Sequence, residues 1–490
     1  GAVFRFRMRP VGGVYRTVRD YSPNGLFDLS AGEQDGLFDV EVTAMSDTGE
    51  VSAATTQVEF RSRRFGNRVT ASPTSHPLVQ VLSAPPCAVG QKMRVEYYTP
   101  GSALQSTSSK DCTGGNMNFY VAGLKSIAGY GVHTVIEGNG TKTVGDDTYF
   151  VTGALPAGLF TDIPLVQSPN ANAPLLLGAS LAGAVAFASD GTPLWYADQP
   201  DLAYITRAEA GTFWGIVMGP GTVWDQKIRK FDLAGNTILE TNAGRVNQQL
   251  QAMGKRPISS FHHEVRTLPG GRIAALAAVE QTVTDLQGPG NVNVLGDMIV
   301  VLDENLNVVW TWDTFDNLDV RRKAVLNEKC GGIGGACPVY FQSVQANDWT
   351  HGNSIAFTAD GNLVYSARHQ DWLIKISYDN GNGDGHIVWR LGKDGDFAAP
   401  AGSIDPWFSH QHDGNFDPTD PTRLLVFDNG NTRVAKNGPS FSRGLALHLD
   451  EKNMTVSFDL NVYLGVFSAA VGTAQKLDNG NYHFDAGFVM

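Results

Sequence analysis

Basic residues are the minority in this chain. Of 490 residues, 37 are Lys or Arg and 49 are Asp or Glu, a net charge of −12 with no long basic run. That balance argues against a surface that tracks nucleic-acid phosphates. Long apolar runs are also missing. The most apolar stretch, Leu175 to Ala188, is cut by Gly178, Ser180 and Gly183, and falls short of the ~20 residues a membrane span needs. No signal peptide stands at Gly1, as expected if an export sequence has already been removed. No GxxxxGK[ST] segment occurs to cradle the phosphates of a nucleotide, and no HExxH pair occurs to hold zinc. Cysteine is scarce: four residues, none with CxxC spacing, form two local pairs, Cys87/Cys112 and Cys330/Cys337, in Gly-rich loops. Two disulfides and an oxidising compartment, periplasmic or extracellular, are the expectation.

What the chain does have is turn-forming residues between short apolar segments. There are 55 Gly and 23 Pro, with 42% hydrophobic and 18% charged residues, which excludes both disorder and long helical repeats. "GLFDVEVTAMSDTGEVSAATTQVEF" reads as strand, turn at Asp47–Gly49, strand. "QKMRVEYYTP", "MNFYVAGLKS", "YGVHTVIEG" and "DDTYFVTGAL" read as further strands. From about residue 175 a loose repeat sets in. "GTPLWYAD", "NLNVVWTWD" and "DGHIVWRLG" each end in an apolar–Trp pair after a turn, and "MTVSFDL" is a Phe variant. Each unit reads as a four-stranded meander, the blade of a propeller. The expected fold is all-β: a six-bladed β-propeller preceded by an N-terminal immunoglobulin- or fibronectin-like β-sandwich region. The expected boundaries are a β-sandwich-like module or extension over 1–66, a β-sandwich domain over 67–160, and the propeller over 161–490. "LVQSPNANAP" is the expected linker. The last blade shows only the two strands of "AQKLDNGNYHFDAGFVM", and exposed edges at either terminus would allow strand exchange or a homo-oligomer.

Six of the eleven histidines fall in three clusters: His262–His263, His351 with His369, and His410 with His412. In a propeller most of them stand at equivalent blade positions, so chain-distant clusters converge at one mouth of the channel. Converging histidines suit two chemistries. Three could bind zinc with an open position, although "HHE" lies on an expected strand, where neighbours face opposite ways. Alternatively, a neutral imidazole could accept a transferred group covalently, with Arg368 holding the oxygens of a sulfuryl or phosphoryl group. A third reading is a non-catalytic extracellular propeller serving as scaffold or filament subunit. "DNGNGDG" at 379–385 resembles the start of a calcium loop but lacks its glutamate, and reads as a blade turn. Trp349, Trp372 and Trp407 flank the clusters and suit either stacking on a ring or blade packing.

"FHHEVRTLPGG", "DWTHGNSIAFTADGNLVYSARHQDWLIKI", "IVWRLGKDGDF", "FSHQHDGNF", "VFDNGNTR" and "AQKLDNGNY", in this order over roughly 260–482, resemble the bacterial arylsulfotransferases that do not use phosphoadenosine phosphosulfate. The resemblance implies an exported six-bladed propeller that needs no cofactor. It implies transfer of a sulfuryl group from an aryl sulfate to a phenol by a ping-pong route through sulfohistidine. The nucleophile falls on His412 by the "QH" match. The "WTHxNS" match adds His351 and Asn353, the "SxRHQ" match adds Arg368, and the "HHE" match adds His263, with His262 as the competing choice. Thr473 follows more distantly, from the loop before the last strand pair. On this reading Arg368 and His351 balance charge on the sulfuryl oxygens, and one histidine shuttles the phenol proton. The partners are small aryl sulfates and phenols, with no metal and no nucleic acid.

Overall fold

The computed structural model describes residues 1–490 apart from 30–31, 63, 65–67, 158–174, 181–182, 332–344, 401, 403–404, 437 and 490. The expected linker "LVQSPNANAP" lies outside the described residues. Strand takes 51% of the chain and helix 7%, so the chain is nearly all β. It divides into two units, Gly1–Gly215 with Arg229–Glu240, and Ile216–Ile228 with Thr241–Met490.

In the first unit, Gly36–Met45 and Val51–Phe60 pair antiparallel without a register break, from Gly36 opposite Phe60 to Met45 opposite Val51. The turn closes where Gly49 adopts a φ of 86°, a conformation that favours glycine. Farther along, the strand Lys92–Tyr98 buries alternate residues, as a period of two requires, whereas Met117–Val121 and Gly129–Gly138 bury runs of consecutive residues. Met93, Val95, Phe119 and Val132 form the core there, and the Cys87–Cys112 disulfide is set into it. The second expected disulfide cannot be followed: Cys330 is not a free thiol, and Cys337 lies outside the described residues.

The second unit is built on three antiparallel meanders in chain order. One runs through Ser260–Thr267, Ile273–Thr284, Asn291–Leu302 and Val308–Asp313, with a short parallel strand added at Asn347–Asp348. The next runs through Gly352–Phe357, Leu363–Ala367, Trp372–Ile376 and Ile387–Gly392. The third runs through His412–Asp417, Asp420–Asp428, Arg443–Asp450 and Thr455–Tyr463. Their turns sit where the sequence has D/N-G pairs: Thr358 and Asn362 close the loop around Gly361, whose φ is +83°.

Consecutive meanders pack on one another through apolar faces. Leu276, Ile299, Trp310 and Trp312 meet Tyr365, Ile374 and Tyr378 in one cluster. Trp389, Leu391 and Leu373 meet Val426, Leu445 and Phe408 in the next. Two tryptophans of the first meander also carry a polar tether. The indole N–H of Trp310 donates to Gly383 O and that of Trp312 to Gly385 O, each at 2.9 Å. The "DNGNGDG" segment is therefore a turn that receives the preceding sheet's indoles.

One element was not anticipated. After Thr237–Asn242 comes the helix Ala243–Ala252, in a chain read from its sequence as all-β. The Asn242 side chain caps it by accepting from Arg245 N–H at 2.8 Å. Ala243, Val246 and Leu250 form its buried face. At the far end, Thr473–Lys476 and Tyr482–Asp485 make the expected two-stranded piece.

Candidate active site

The first strands of the three meanders lie side by side. Asn353 Nδ2 donates to Gln411 O at 2.7 Å, Gly414 N–H to Ser354 Oγ at 3.1 Å, and an Arg266 Nη1 N–H to Ile355 O. Each of these strands breaks register early, between Phe261 and Val265, between Gly352 and Ser354, and between His412 and Asn415. At or beside each break a histidine takes a left-handed backbone: His263 at φ 54°, His351 at 48° and His410 at 52°. A bulge re-aims side chains that a regular strand would send to alternate faces. This corrects the expectation for "HHE". The rings of His262 and His263 share one side, with their Nδ1 atoms 3.0 Å apart.

The result is a chain of imidazoles drawn from three sheets. Ring centroids are 5.2 Å apart from His262 to His263, 5.1 Å from His263 to His351, 4.5 Å from His351 to His369, and 5.6 Å from His369 to His410. His263 continues this chain toward His351, while His262 turns its Nε2 to Asp297 Oδ1 at 3.0 Å. Burial, with His351 close by, holds the His263 imidazole well below its usual pKa.

Buried acids fix the neighbours. Asp297 Oδ2 accepts from the Thr350 hydroxyl at 2.5 Å, the Tyr365 hydroxyl at 2.5 Å and the Gly352 N–H at 2.7 Å. Burial alone would raise this carboxyl, but His262 and the hydroxyl donors outweigh it and bring it to about 2. Asp348 Oδ2 lies 2.6 Å from His351 Nδ1. His369 Nδ1 donates to Asp348 O at 2.7 Å, so its Nε2 accepts from Arg368 Nη1 at 2.5 Å. His410 sits between Asp371, at 2.9 Å from Nδ1, and Glu328 on Nε2. Burial opposes its charge, yet the two carboxylates raise its pKa.

Arg368 follows the strand Leu363–Ala367 and is 5% exposed, so its guanidinium is committed to the interior. Its Nη2 donates to Ala469 O at 3.0 Å. His412 opens the third meander. Its Nδ1 faces Asn429 Oδ1 at 2.7 Å, and its Nε2 accepts from Val471 N–H at 3.2 Å. Burial first, then Arg368, push the His412 imidazole down to about 3. Val471 belongs to a strap, residues 468–472, that Asn429 and Asn431 hold by its carbonyls. Val471 has a φ of 55°, which is strained for a β-branched residue. Asn353 Oδ1 is buried and has no hydrogen-bond partner among the described residues. Thr473 stands two residues past Val471 on the same strap's exit.

The structure thus brings His262, His263, His351, Arg368, Asn353 and His412 into one unit around three strand starts, with Thr473 beside the strap. It joins to them His369 and His410, which the sequence clusters already contained, and adds Asp297, Asp348 and Asn429. Asn429 lay within the quoted "VFDNGNTR" segment, where an Asn at a strand end was the available signal. Asp348 opened the quoted "DWTHGNS" stretch, three residues before His351, while Asp297 had no such signal. Two sets of ligand atoms, Glu328/His369/His410 and Asp348/His351/His369, cluster closely enough to hold a cation. Both share His369, whose Nε2 is already occupied by a guanidinium, and a cation there would meet like charge. Trp349 and Trp372 serve packing. Trp349 is buried against Val283 and Val294 with its indole N–H on Arg322 O, and Trp372 is stacked by the Arg322 guanidinium.

A family model described as Arylsulfotransferase (ASST) matches residues 137–490. The chain belongs to the arylsulfotransferase family. It is an aryl sulfotransferase of the kind independent of phosphoadenosine phosphosulfate. No curated protein matches this arylsulfotransferase. Among solved structures, the alpha chain of the chicken interferon gamma receptor matches with 12% identity over 31% of this chain and 85% of its own, at a TM-score of 0.16. A tetra-tandem repeat from the extending region of a large adhesion protein matches with 11% identity over 64% and 91%, at 0.16. A eukaryotic initiation factor matches with 8% identity over 94% and 96%, at 0.23. Likenesses this low carry no argument about the arylsulfotransferase.

Proposed function

We propose that this arylsulfotransferase works by ping-pong transfer through a sulfohistidine at His412. The observation that carries the reading is the tautomer of that residue. Asn429 turns its amide N–H₂ to two strap carbonyls, so its oxygen faces His412 and Nδ1 bears the hydrogen. Nε2 is left with the lone pair, on a ring held neutral well below physiological pH. A neutral imidazole attacks sulfur; an imidazolium does not.

In the first half, Nε2 forms a bond to sulfur, the sulfur–aryl oxygen bond breaks, and the phenolate leaves with the electron pair. Val471 N–H must swing off Nε2 for sulfur to reach it. Arg368, released from Ala469 O by the same movement, then meets the sulfuryl oxygens together with the Asn353 amide. An unactivated phenol has a pKa near ~10, so the leaving oxygen needs a proton. His351, backed by Asp348 as an imidazole is in acid–base catalysis, supplies it and takes the acceptor phenol's proton in the second half. His263 orients His351, and Thr473 borders the entry.

The same reading extends to the scaffold. The three meanders are blades of a six-bladed β-propeller over 161–490, which follows sandwich-like regions at 1–66 and 67–160. The protein is exported to the periplasm or extracellular space, a reading supported by the Cys87–Cys112 disulfide. Among the described residues, no helix is long and apolar enough to cross a membrane.

The test is mass analysis after mixing with a chromogenic aryl sulfate. The expected result is a burst of phenol with about 80 Da, one sulfuryl group, added to the peptide containing His412, both lost in His412→Ala. Turnover in the wild type without any adduct on that peptide would overturn the covalent route.

A further inference from the structure

Three imidazoles of the cluster are backed by carboxylates. His262 has Asp297 at 3.0 Å, His351 has Asp348 at 2.6 Å, and His410 has Asp371 at 2.9 Å together with Glu328. His412 is backed by an amide instead. That amide is locked, because Asn429 Nδ2 donates to Ser468 O at 2.8 Å and to Val471 O at 3.0 Å. An amide oxygen accepts a hydrogen bond but does not take the proton across it, whereas a carboxylate can. Asn429 is fully buried, so no water replaces it as a proton acceptor at Nδ1.

We propose that Asn429 is a positioning residue that keeps the proton on His412 Nδ1 through both half-reactions, so that the sulfated ring stays cationic and leaves sulfur as a neutral imidazole. The proposal rests on the reading of His412 as nucleophile. The electrons balance as follows. In the first half the Nε2 pair forms the N–S bond, the aryl oxygen departs with the S–O pair, and Nδ1–H is retained, so the ring's positive charge stands against the sulfonate. In the second half the acceptor oxygen, having given its proton to a neighbouring imidazole, donates a pair to sulfur. The N–S pair returns to Nε2, and the ring is neutral again without any proton having left it. With a carboxylate in place of the amide, the Nδ1 proton would be drawn away. The adduct would be neutralised and the leaving nitrogen made more basic, which slows departure. The neutral backing thus favours passing the group on over storing it.

The experiment uses the full chain and Asn429→Asp. Burst phenolate release from 4-nitrophenyl sulfate reads adduct formation, and decay of the adduct on adding phenol reads its discharge. At pH 8 formation is expected to stay within about threefold of wild type while discharge slows by about tenfold or more. The acid limb of formation should also move up toward neutrality, because a carboxylate partner favours imidazolium. Equal slowing of both steps at every pH, as a structural defect gives, overturns the proposal. Should the variant not fold, the wild-type adduct decides. Sulfuryl on Nε2, by NMR of the modified peptide, is required, and sulfuryl on Nδ1 refutes the role of Asn429. Failure of the underlying reading looks different: no sulfuryl on either nitrogen of His412.

Discussion

Replacing Asp297 with Asn should expose how much the buried acids contribute to the site. Asp297 is 3% exposed and receives Thr350, Tyr365 and Gly352 on one oxygen and His262 on the other. Its carboxyl is depressed from 3.8 to about 2. A folded-state value below the unfolded one contributes stability that is present above the unfolded pKa and disappears as pH falls through the folded one. The size of the depression corresponds to about 2 kcal/mol at pH 7, lost between roughly pH 5 and pH 2. Asn keeps one acceptor oxygen but turns an N–H₂ group toward donors, so orphaned hydrogen bonds add roughly 1–3 kcal/mol that do not depend on pH. Urea unfolding at pH 7, 5 and 3 measures both parts. The expected gap between wild type and Asp297→Asn is about 3–5 kcal/mol at pH 7, narrowing as the solution is acidified. Because Thr350 and Gly352 flank His351, sulfuryl transfer should fall by about a hundredfold from misplacement alone. A gap below ~1 kcal/mol, or one that is the same at pH 7 and pH 3, would refute this account of the buried acid.

Three other outcomes follow from the geometry. With an activated aryl sulfate, whose phenolate needs no proton, single-turnover phenol release should be flat from pH 5 to 8, because His412 is neutral above about 3; a fall in release as pH drops through neutrality would contradict the low basicity. Arg368→Lys keeps the charge but loses the fork that spans His369 and Ala469, and kcat/KM should drop by about a hundredfold with the circular dichroism spectrum unchanged; retention of activity would show that a point charge suffices. Trp312→Ala removes a buried indole and its hydrogen bond to the next sheet, and should cost about 3–5 kcal/mol in urea unfolding; a loss under ~1 kcal/mol would mean that the sheets dock independently of it.

Sheet content and turn positions were legible because their causes are local. Asp47–Gly49, the D/N-G turns and the alternation of Met93, Val95 and Tyr97 each depend on residues within a few positions. The helix Ala243–Ala252 was obscured because its cap is a single Asn in a strand-like context. The convergence of three histidine clusters was also legible, since a repeat puts like positions in like places. What the letters concealed was the aim of each ring. A bulge at Phe261–Val265 undoes the alternation that would have sent His262 and His263 apart, and no local signal marks it. Asp297 and Glu328 come from elsewhere in the chain, so only tertiary packing assigns them to His262 and His410, whereas Asp348 stands three residues before its partner His351. Asn429 stood in a legible motif, but its role depends on which way an amide faces, and that is set by two carbonyls some forty residues on.

The indoles of Trp310 and Trp312 tie the first meander to the loop of the second, and this bears on when the enzyme exists at all. His263, His351 and His412 belong to three different sheets, so on the proposed route no single sheet would carry a fraction of the activity. Loosening one seam would disperse the ring of imidazoles while leaving most strands paired, and catalysis should fade on warming before the spectroscopic signal of β-structure does. On the same route an aryl sulfate bound against all three strand starts would act as mortar between them. It should raise the temperature at which that fading begins by an amount that grows with its concentration.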